Sequence, residues 1–489
     1  MSGQTYRDPG APIFSALLSY LEEGTLRLHM PGHIGGRGMP EIFQNLAALD
    51  VTEVPGTDDL HCPREAIEEG RRLMAQAFGA KESFFLVNGA SSGIHCLLLS
   101  LPNPEGKVLV PRNSHRSFWG GFVLSGAFPI YIPCGYEPQA GIALAVESAD
   151  IARLLHTHPE SQAVFITSPN YYGATCKIND IAAVVREQKK ILLVDEAHGG
   201  HFPFHPAYPR AALHQGADGV VNGLHKTLPV LNQGACLHVG PGFKHRDRLF
   251  SAYSLLTTTS PSYPLLASMD KARQLMVEKG YDLLEAAREL ALDYREKINR
   301  LPGLRVLDQQ LLEVPGVEEL DPLKTVIFIE GLSLTGYQLS ELLRTRYHIQ
   351  VELQEPRIVL AMMSMFHRKE EWEELYQSLK EVCCSYQGPF PHQPLMIPPF
   401  PQVVLSPRQA FGSTRRRVKL QDSAGRLCGE LVAVYPPGIP CLLPGEMIDA
   451  EMLDYLWYIK KSGSKIQGPD DPEFDTIMIL DEISEGRHE

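Results

Sequence analysis

Two apolar runs in this chain end on residues that can do chemistry together. Ile191-Leu192-Leu193-Val194 has the length of a strand buried on both faces. It closes on Asp195 and Glu196, and after Ala197 comes the helix-incompatible His198-Gly199-Gly200. Gly219-Val220-Val221 is a second short run, closing on Asn222-Gly223-Leu224-His225-Lys226. Open α/β sheets bind ligands beyond the carboxyl ends of their strands, so an acid and an amine can project towards one crevice. A lysine there can form a Schiff base with an aldehyde, and a carboxylate can keep a ring nitrogen protonated. Those two needs together describe pyridoxal phosphate (PLP), with Lys226 on the aldehyde and Asp195 on the pyridine nitrogen. An ordinary strand-end salt bridge accounts for the two residues alone equally well.

The elements that must carry such a pair weigh against the salt bridge. Strand-like runs at Val108-Leu109-Val110, Pro129-Ile130-Tyr131-Ile132 and 163–167 alternate with helical intervals at 149–158 and 179–189. That alternation predicts right-handed βαβ units and a mostly parallel sheet. Four strand ends carry polar or small residues: Arg112-Asn113-Ser114-His115, Ser168-Pro169-Asn170-Tyr171-Tyr172, Asp195 to His198, and Gly223 to Lys226. Packing alone does not explain four such ends. Upstream, the strand-like 83–87 runs into Asn88-Gly89-Ala90-Ser91-Ser92-Gly93 and an apolar helix. Strand, small residues, then helix can cradle a phosphate on free backbone N–H groups. A serine-rich N-cap reads the same way, and no Gly-Lys-Ser/Thr follows to make a Walker A loop.

Composition narrows the class. The 489 residues are 44% hydrophobic and 21% charged, as expected of a globular protein with several domains. A net charge of −13 argues against nucleic-acid partners. No apolar run approaches the ~20 residues of a membrane span, and the first residues, MSGQTYRDPG, hold no apolar signal core. Nine cysteines without a pairing pattern suggest reduced thiols and a cytoplasmic protein. No metal-ligand spacing occurs. Cys383-Cys384 reads as helix packing, and Arg415-Arg416-Arg417 as a solvated strand edge. The expected domains are 1–62 (an N-terminal helix at 11–23 and polar loops), 63–270 (the large cofactor-binding domain) and 271–388 (a smaller α/β domain). A proline-rich linker at 389–402 and a C-terminal domain at 403–489 follow. The last ~25 residues are acidic and expected to fray.

Taken together, HMPGH (29–33), DVTEVPGTDDLHCP (50–63), FGAKESFFLVNGASSG (78–93), RNSHRS (112–117), SPNYYG (168–173), VDEAHGGHF (194–202), HKTLP (225–229), TTTSPSYPLLASMD (257–270) and YPPGIPCLLPGE (435–446) resemble the major class of bacterial Orn/Lys/Arg decarboxylases, in their short Gram-positive form. The resemblance implies a PLP-dependent fold type I large domain, a smaller α/β domain and a small C-terminal α+β domain. It implies decarboxylation of lysine, arginine or ornithine to the amine. Lys226 would hold PLP, Asp195 its ring nitrogen, and His115 one ring face. Ala197 would touch the other face, with His198 near the substrate carboxylate or the cofactor O3′. Ala90, Ser91 and His225 would hold the phosphate, with Ser92 nearby. A hydroxyl from 257–262 would reach the phosphate of a neighbouring subunit, so a homodimer or larger homo-oligomer with shared sites is expected. Asp58, Asp59 and Glu352 are candidate partners for a cationic substrate tail.

Two positions depart from the family pattern. Gly223 stands where Ser-x-His-Lys is usual, and Ala90 where a hydroxyl is common. A lost neutral hydrogen bond costs about 0.5–1.5 kcal/mol. An aminotransferase or lyase on the same scaffold is the alternative reading, with Arg357 as its carboxylate-binding candidate; an inactive scaffold homologue is another.

Overall fold

The computed structural model describes residues 8–391, 395–434, 438–462 and 465–481. The chain divides into two units. The first comprises Met1–Pro102, Thr167–Pro169 and Ile191–Glu285; the second comprises Asn103–Ile166, Asn170–Lys190 and Ala286–Glu489. The large-domain strands are, in chain order, β1 (Glu82–Leu86), β2 (Lys107–Pro111), β3 (Phe128–Ile132), β4 (Ala163–Thr167), β5 (Ile191–Asp195), β6 (Gly219–Asn222) and β7 (Ala235–Val239).

In the first unit the strand order is β1-β7-β6-β5. β5 and β6 are parallel, placing Asp195 opposite Val221, whereas β7 runs antiparallel to both β6 and β1. β6 and β7 are buried throughout, which is why they read as continuous apolar runs without alternation. Helix α1 (Pro12–Glu22) starts on proline, where its missing N–H costs nothing. Helix α2 (Ala66–Phe78) ends on Gly79 in the left-handed conformation, φ +66°. Helix α3 (Gly89–Leu99) follows β1 directly. A Cβ on Gly93 of α3 would lie 2.6 Å from Leu86 Cδ1 and 2.9 Å from Val221 Cγ1. Only glycine lets this helix lie so close on β1 and β6.

In the second unit β4, β2 and β3 are parallel neighbours. Helix α4 (Tyr263–Asn299) leads into a four-stranded antiparallel sheet of β8 (Leu304–Val306), β9 (Lys324–Ile329), β10 (Leu353–Glu355) and β11 (Ile358–Met362), ordered β8-β9-β11-β10. Helix α5 (Gly336–Arg346) carries a Thr335/Gln338 capping box. Helix α6 (Lys369–Ser385) buries Cys383 but exposes Cys384, so only the first of that pair packs.

The tail pairs β12 (Arg415–Lys419) with β16 (Thr476–Leu480), and sets β13 (Val432–Val434) between β14 (Ile439–Leu442) and β15 (Ile466–Gln467). Helix α7 (Ala450–Lys461) joins Leu442, Phe474, Ile477 and Ile479 in one core. Here the expected fraying is corrected as far as residue 480. Ile477 and Ile479 alternate with solvent-facing residues at strand period, and both are buried within an otherwise acidic stretch. Residues 482–489, and 435–437 of the YPPGIPCLLPGE segment, lie outside the described residues. Arg415, Arg416 and Arg417 are exposed on β12.

Candidate active site

The turns that follow β5 and β6 are stitched together. The Glu196 N–H donates to Val221 O (3.0 Å) and the Gly223 N–H to Ala197 O (3.2 Å). Asn222 Nδ2 donates to Glu196 O (2.9 Å) and to Glu196 Oε2 (3.1 Å). A Cβ on Gly223 would sit 3.0 Å from Ala197 O and 3.3 Å from Lys226 Cδ. The glycine that departs from the usual serine therefore permits this close approach of the two turns. Lys226 lies in the helical turn Leu224–Thr227. Its Nζ is 3.0 Å from His198 Nε2. A charged Lys226 would donate to Nε2 and leave the imidazole proton on Nδ1.

Asp195 is 3% exposed. Its Oδ1 accepts the Ala197 N–H at 3.1 Å. Burial pushes its pKa up, against the opposing pull of the Lys226 charge and the Ala197 N–H. Among the described residues no cation lies within ion-pair range of it. Glu196, its neighbour, has another task. It is buried, accepts the Ala212 N–H at 2.7 Å and binds Asn222. Burial raises its pKa to about 8 despite those bonds, so it is a largely neutral strut at pH 7.

The first turn of α3 carries Ala90, Ser91 and Ser92. The Ser92 hydroxyl donates to Gly89 O at 2.8 Å, which commits it to the helix's own turn. His225 Nδ1 is 2.9 Å from Gly234 O. A carbonyl only accepts, so Nδ1 carries the proton; burial lowers the ring's pKa. His115 belongs to the second unit, where its Nδ1 lies 2.8 Å from Ser117 Oγ. The structure thus brings Asp195, Ala197, His198, His225 and Lys226 onto two adjoining turns of the first unit, with Ala90 to Ser92 in the same unit.

The candidate tail-binding acids have separate fates. Asp58 is tied up by the N–H groups of Arg64 (3.0 Å), Glu65 (2.9 Å) and Ile67 (2.9 Å), ahead of and into α2. Burial would raise its pKa, but these donors outweigh it and hold the group low. Asp59 Oδ1 accepts the His61 N–H at 2.8 Å. Glu352 is exposed in the second unit. Arg357 stacks 4.5 Å from the Phe390 ring centre and 5.7 Å from that of Phe328, a packing role. Arg112, one of the strand-end polar residues, is also spoken for. Its Nη2 bonds Glu446 Oε2 (3.2 Å) and Cys441 O (2.8 Å), and its Nη1 bonds Pro440 O (2.7 Å).

A PLP group fits the residues present. Among the described residues, the site offers a buried carboxylate without an ion-pair partner, an amine in its field, and the N-terminus of α3, which favours an anion. Residues 11–371 match the family model described as the Orn/Lys/Arg decarboxylase major domain, and 391–472 match the C-terminal domain of the same family. The chain belongs to the Orn/Lys/Arg decarboxylase family. Within that family, the arginine decarboxylase of Halalkalibacterium halodurans is 34% identical over 97% of this chain and 99% of its own length. The arginine decarboxylase of Bacillus subtilis is 32% identical over 96% and 98%. The lysine decarboxylase structure from Francisella novicida shares the fold, with a TM-score of 0.84 at 20% identity over 97% of this chain and 82% of that one. A fold type I aminotransferase from B. subtilis overlays less well, with a TM-score of 0.55 over 71% of this chain. The architecture is therefore a fold type I α/β large domain, a smaller α/β domain and a small C-terminal α+β domain.

Proposed function

We propose that this family member is a PLP-dependent arginine decarboxylase, releasing CO2 and the corresponding guanidino amine. One observation carries the reading. Asp195 is a buried acid with no ion-pair partner among the described residues, and the adjoining turn holds Lys226 with its amine 3.0 Å from His198. The choice of arginine among the basic amino acids rests on the names of the relatives at 34% and 32% identity.

When bound, PLP supplies an electron sink for the bond to the departing carboxylate. Lys226 would hold its aldehyde and Asp195, kept from water, its pyridine nitrogen. His115 and Ala197 would be its ring-contacting residues. Ala90, Ser91 and His225 would hold the phosphate, with Ser92 beside them. His198 orients the substrate carboxylate, and its 3.0 Å contact with Lys226 lets either group return a proton to the substrate Cα. Exclusion of water from these turns favours loss of the carboxylate charge. Thr258, Thr259 and Ser260 are exposed, as a segment reaching the phosphate of a second subunit requires; we read the active form as a homodimer at least. All nine cysteines are free, which supports a reducing, cytoplasmic setting. No helix among the described residues is long and apolar enough to cross a membrane.

The test is CO2 release by the PLP-loaded protein from arginine, lysine and ornithine in parallel, with Lys226→Ala as the blank. Release from arginine that vanishes in the variant is the expected result. Release from lysine or ornithine alone overturns the substrate, and keto-acid formation without CO2 overturns the reaction class.

A further inference from the structure

The second unit holds a partly open cavity of about 230 Å³, room for far more than one ordered water. Its wall is aromatic: Tyr136, Tyr172, Tyr337, Tyr455, Tyr458 and Phe400 all line it. Two charged side chains also line it, Arg112 and Glu355. The Arg112 charge is already answered by Glu446, which is itself 1% exposed. Glu355, at the end of β10, has no such answer. Its carboxylate accepts the hydroxyl of Tyr172, and among the described residues no cation lies within ion-pair range of it. An acid with no cation beside it therefore lies against aromatic side chains, and a bound cation would hold it ionised. Aromatic faces and a desolvated carboxylate both favour a cation, and the apolar lining favours an aliphatic body beside it.

We propose that this cavity binds a small organic cation, a primary amine or guanidine on a short aliphatic chain, with its charge on Glu355. Choosing an amine of the product class rests on the reaction proposed above; the need for a cation does not. Burial raises the Glu355 pKa to about 7, against the Tyr172 hydrogen bond. The groups facing it are the hydroxyls of Tyr172, Tyr337, Tyr136, Tyr455 and Tyr458, with the neutralised Arg112 beyond. Burial keeps Tyr136, Tyr172, Tyr455 and Tyr458 protonated well above pH 7, so Glu355 titrates near neutrality and these four do not. Binding strengthens as pH rises from 6 to 8 while the amine remains charged.

The full-length, PLP-loaded protein, borohydride-reduced so that the lysine–cofactor bond is locked, is titrated calorimetrically with agmatine, cadaverine and putrescine. 1-Pentanol serves as the neutral comparison. At least one amine binds and pentanol does not. Glu355→Gln weakens that binding by at least about tenfold, the factor expected for loss of a charge-assisted contact. Ala143→Leu, which fills the cavity and keeps the carboxylate, also weakens it. Thermal unfolding confirms that each variant is folded. Wild-type protein that binds no amine, or variants that both bind as tightly as wild type, overturns the proposal. Because no turnover is read, a protein that decarboxylates nothing can still pass, and an active decarboxylase can still fail.

Discussion

Two buried carboxylates in this molecule meet opposite fates. Glu446 in the second unit is fully engaged: Arg112 at 3.2 Å, the Tyr131 hydroxyl at 2.8 Å and the Leu443 N–H at 2.7 Å all point at it. Asp195 in the first unit has one backbone N–H and the field of a lysine. Burial raises both pKa values, so burial does not separate them; satisfaction does. A buried acid with its donors in place fastens β2 to the tail, and removing its partner strands a charge. A buried acid left short of donors costs stability until a ligand completes it, which is how sites are prepared. The contrast distinguishes a clasp from a binding site where sequence alone shows an acid and a base in each.

The comparison breaks most visibly at Asp195. Asp195→Asn keeps the shape and removes the charge, so CO2 release from arginine falls by about a thousandfold or more, equivalent to some 4 kcal/mol in the barrier. Thermal unfolding of the cofactor-free protein stays within about 1 kcal/mol of wild type or improves. A cofactor-free protein that loses several kcal/mol would make Asp195 a clasp after all. Arg112→Met tests the other side. It leaves Glu446 buried and unpaired, and destabilises by about 3–5 kcal/mol in urea unfolding. An Arg112→Met protein as stable as wild type removes the clasp.

Glu196 sharpens the contrast through pH. Its folded pKa, about 8, lies above the ordinary carboxylate value of 4.5. The folded state therefore holds the proton more tightly than the unfolded chain. The stability this contributes is fully present below pH 4.5 and is lost as pH rises through 8. Glu196→Gln, neutral at every pH, is expected to be more stable than wild type by roughly 1–3 kcal/mol at pH 8.5 and to lose the advantage at low pH. Parallel unfolding curves for the two proteins from pH 5 to 8.5 would show that Glu196 is not protonated in the fold. The smallest effect is expected at Gly223. Gly223→Ser places a Cβ 3.0 Å from Ala197 O, costing about 1 kcal/mol, while its hydroxyl gains a phosphate hydrogen bond of similar size. PLP affinity by equilibrium dialysis changes by less than about tenfold, and a larger gain would mean that the turns yield freely.

Much of this was legible in the chain itself. Apolar runs bounded by polar clusters locate β2 to β6; all of these but β3 are buried nearly throughout, and a strand buried on both faces leaves no alternation to misread. Asp195, His198 and Lys226 stand out because charged groups at strand ends have few packing roles. β7 goes unread in the sequence: Ala235-Cys236-Leu237-His238-Val239 is a buried strand whose antiparallel direction relative to β1 and β6 leaves no mark on composition. Thr476–Leu480 was hidden among acids, its pairing with β12 lying some 60 residues away.

The sequence by itself determined which chemistry was available: a lysine, an acid and histidines at strand ends, and the family motifs that surround them. Only the tertiary structure decided which acids are spent. Asp58 caps a loop, Glu196 braces Asn222, Glu446 holds Arg112, and Asp195 and Glu355 have no ion-pair partner among the described residues. The reason is physical. A side chain's charge follows from its type, but its free energy depends on which donors the fold brings within about 3 Å, and those come from residues up to 334 positions away along the chain.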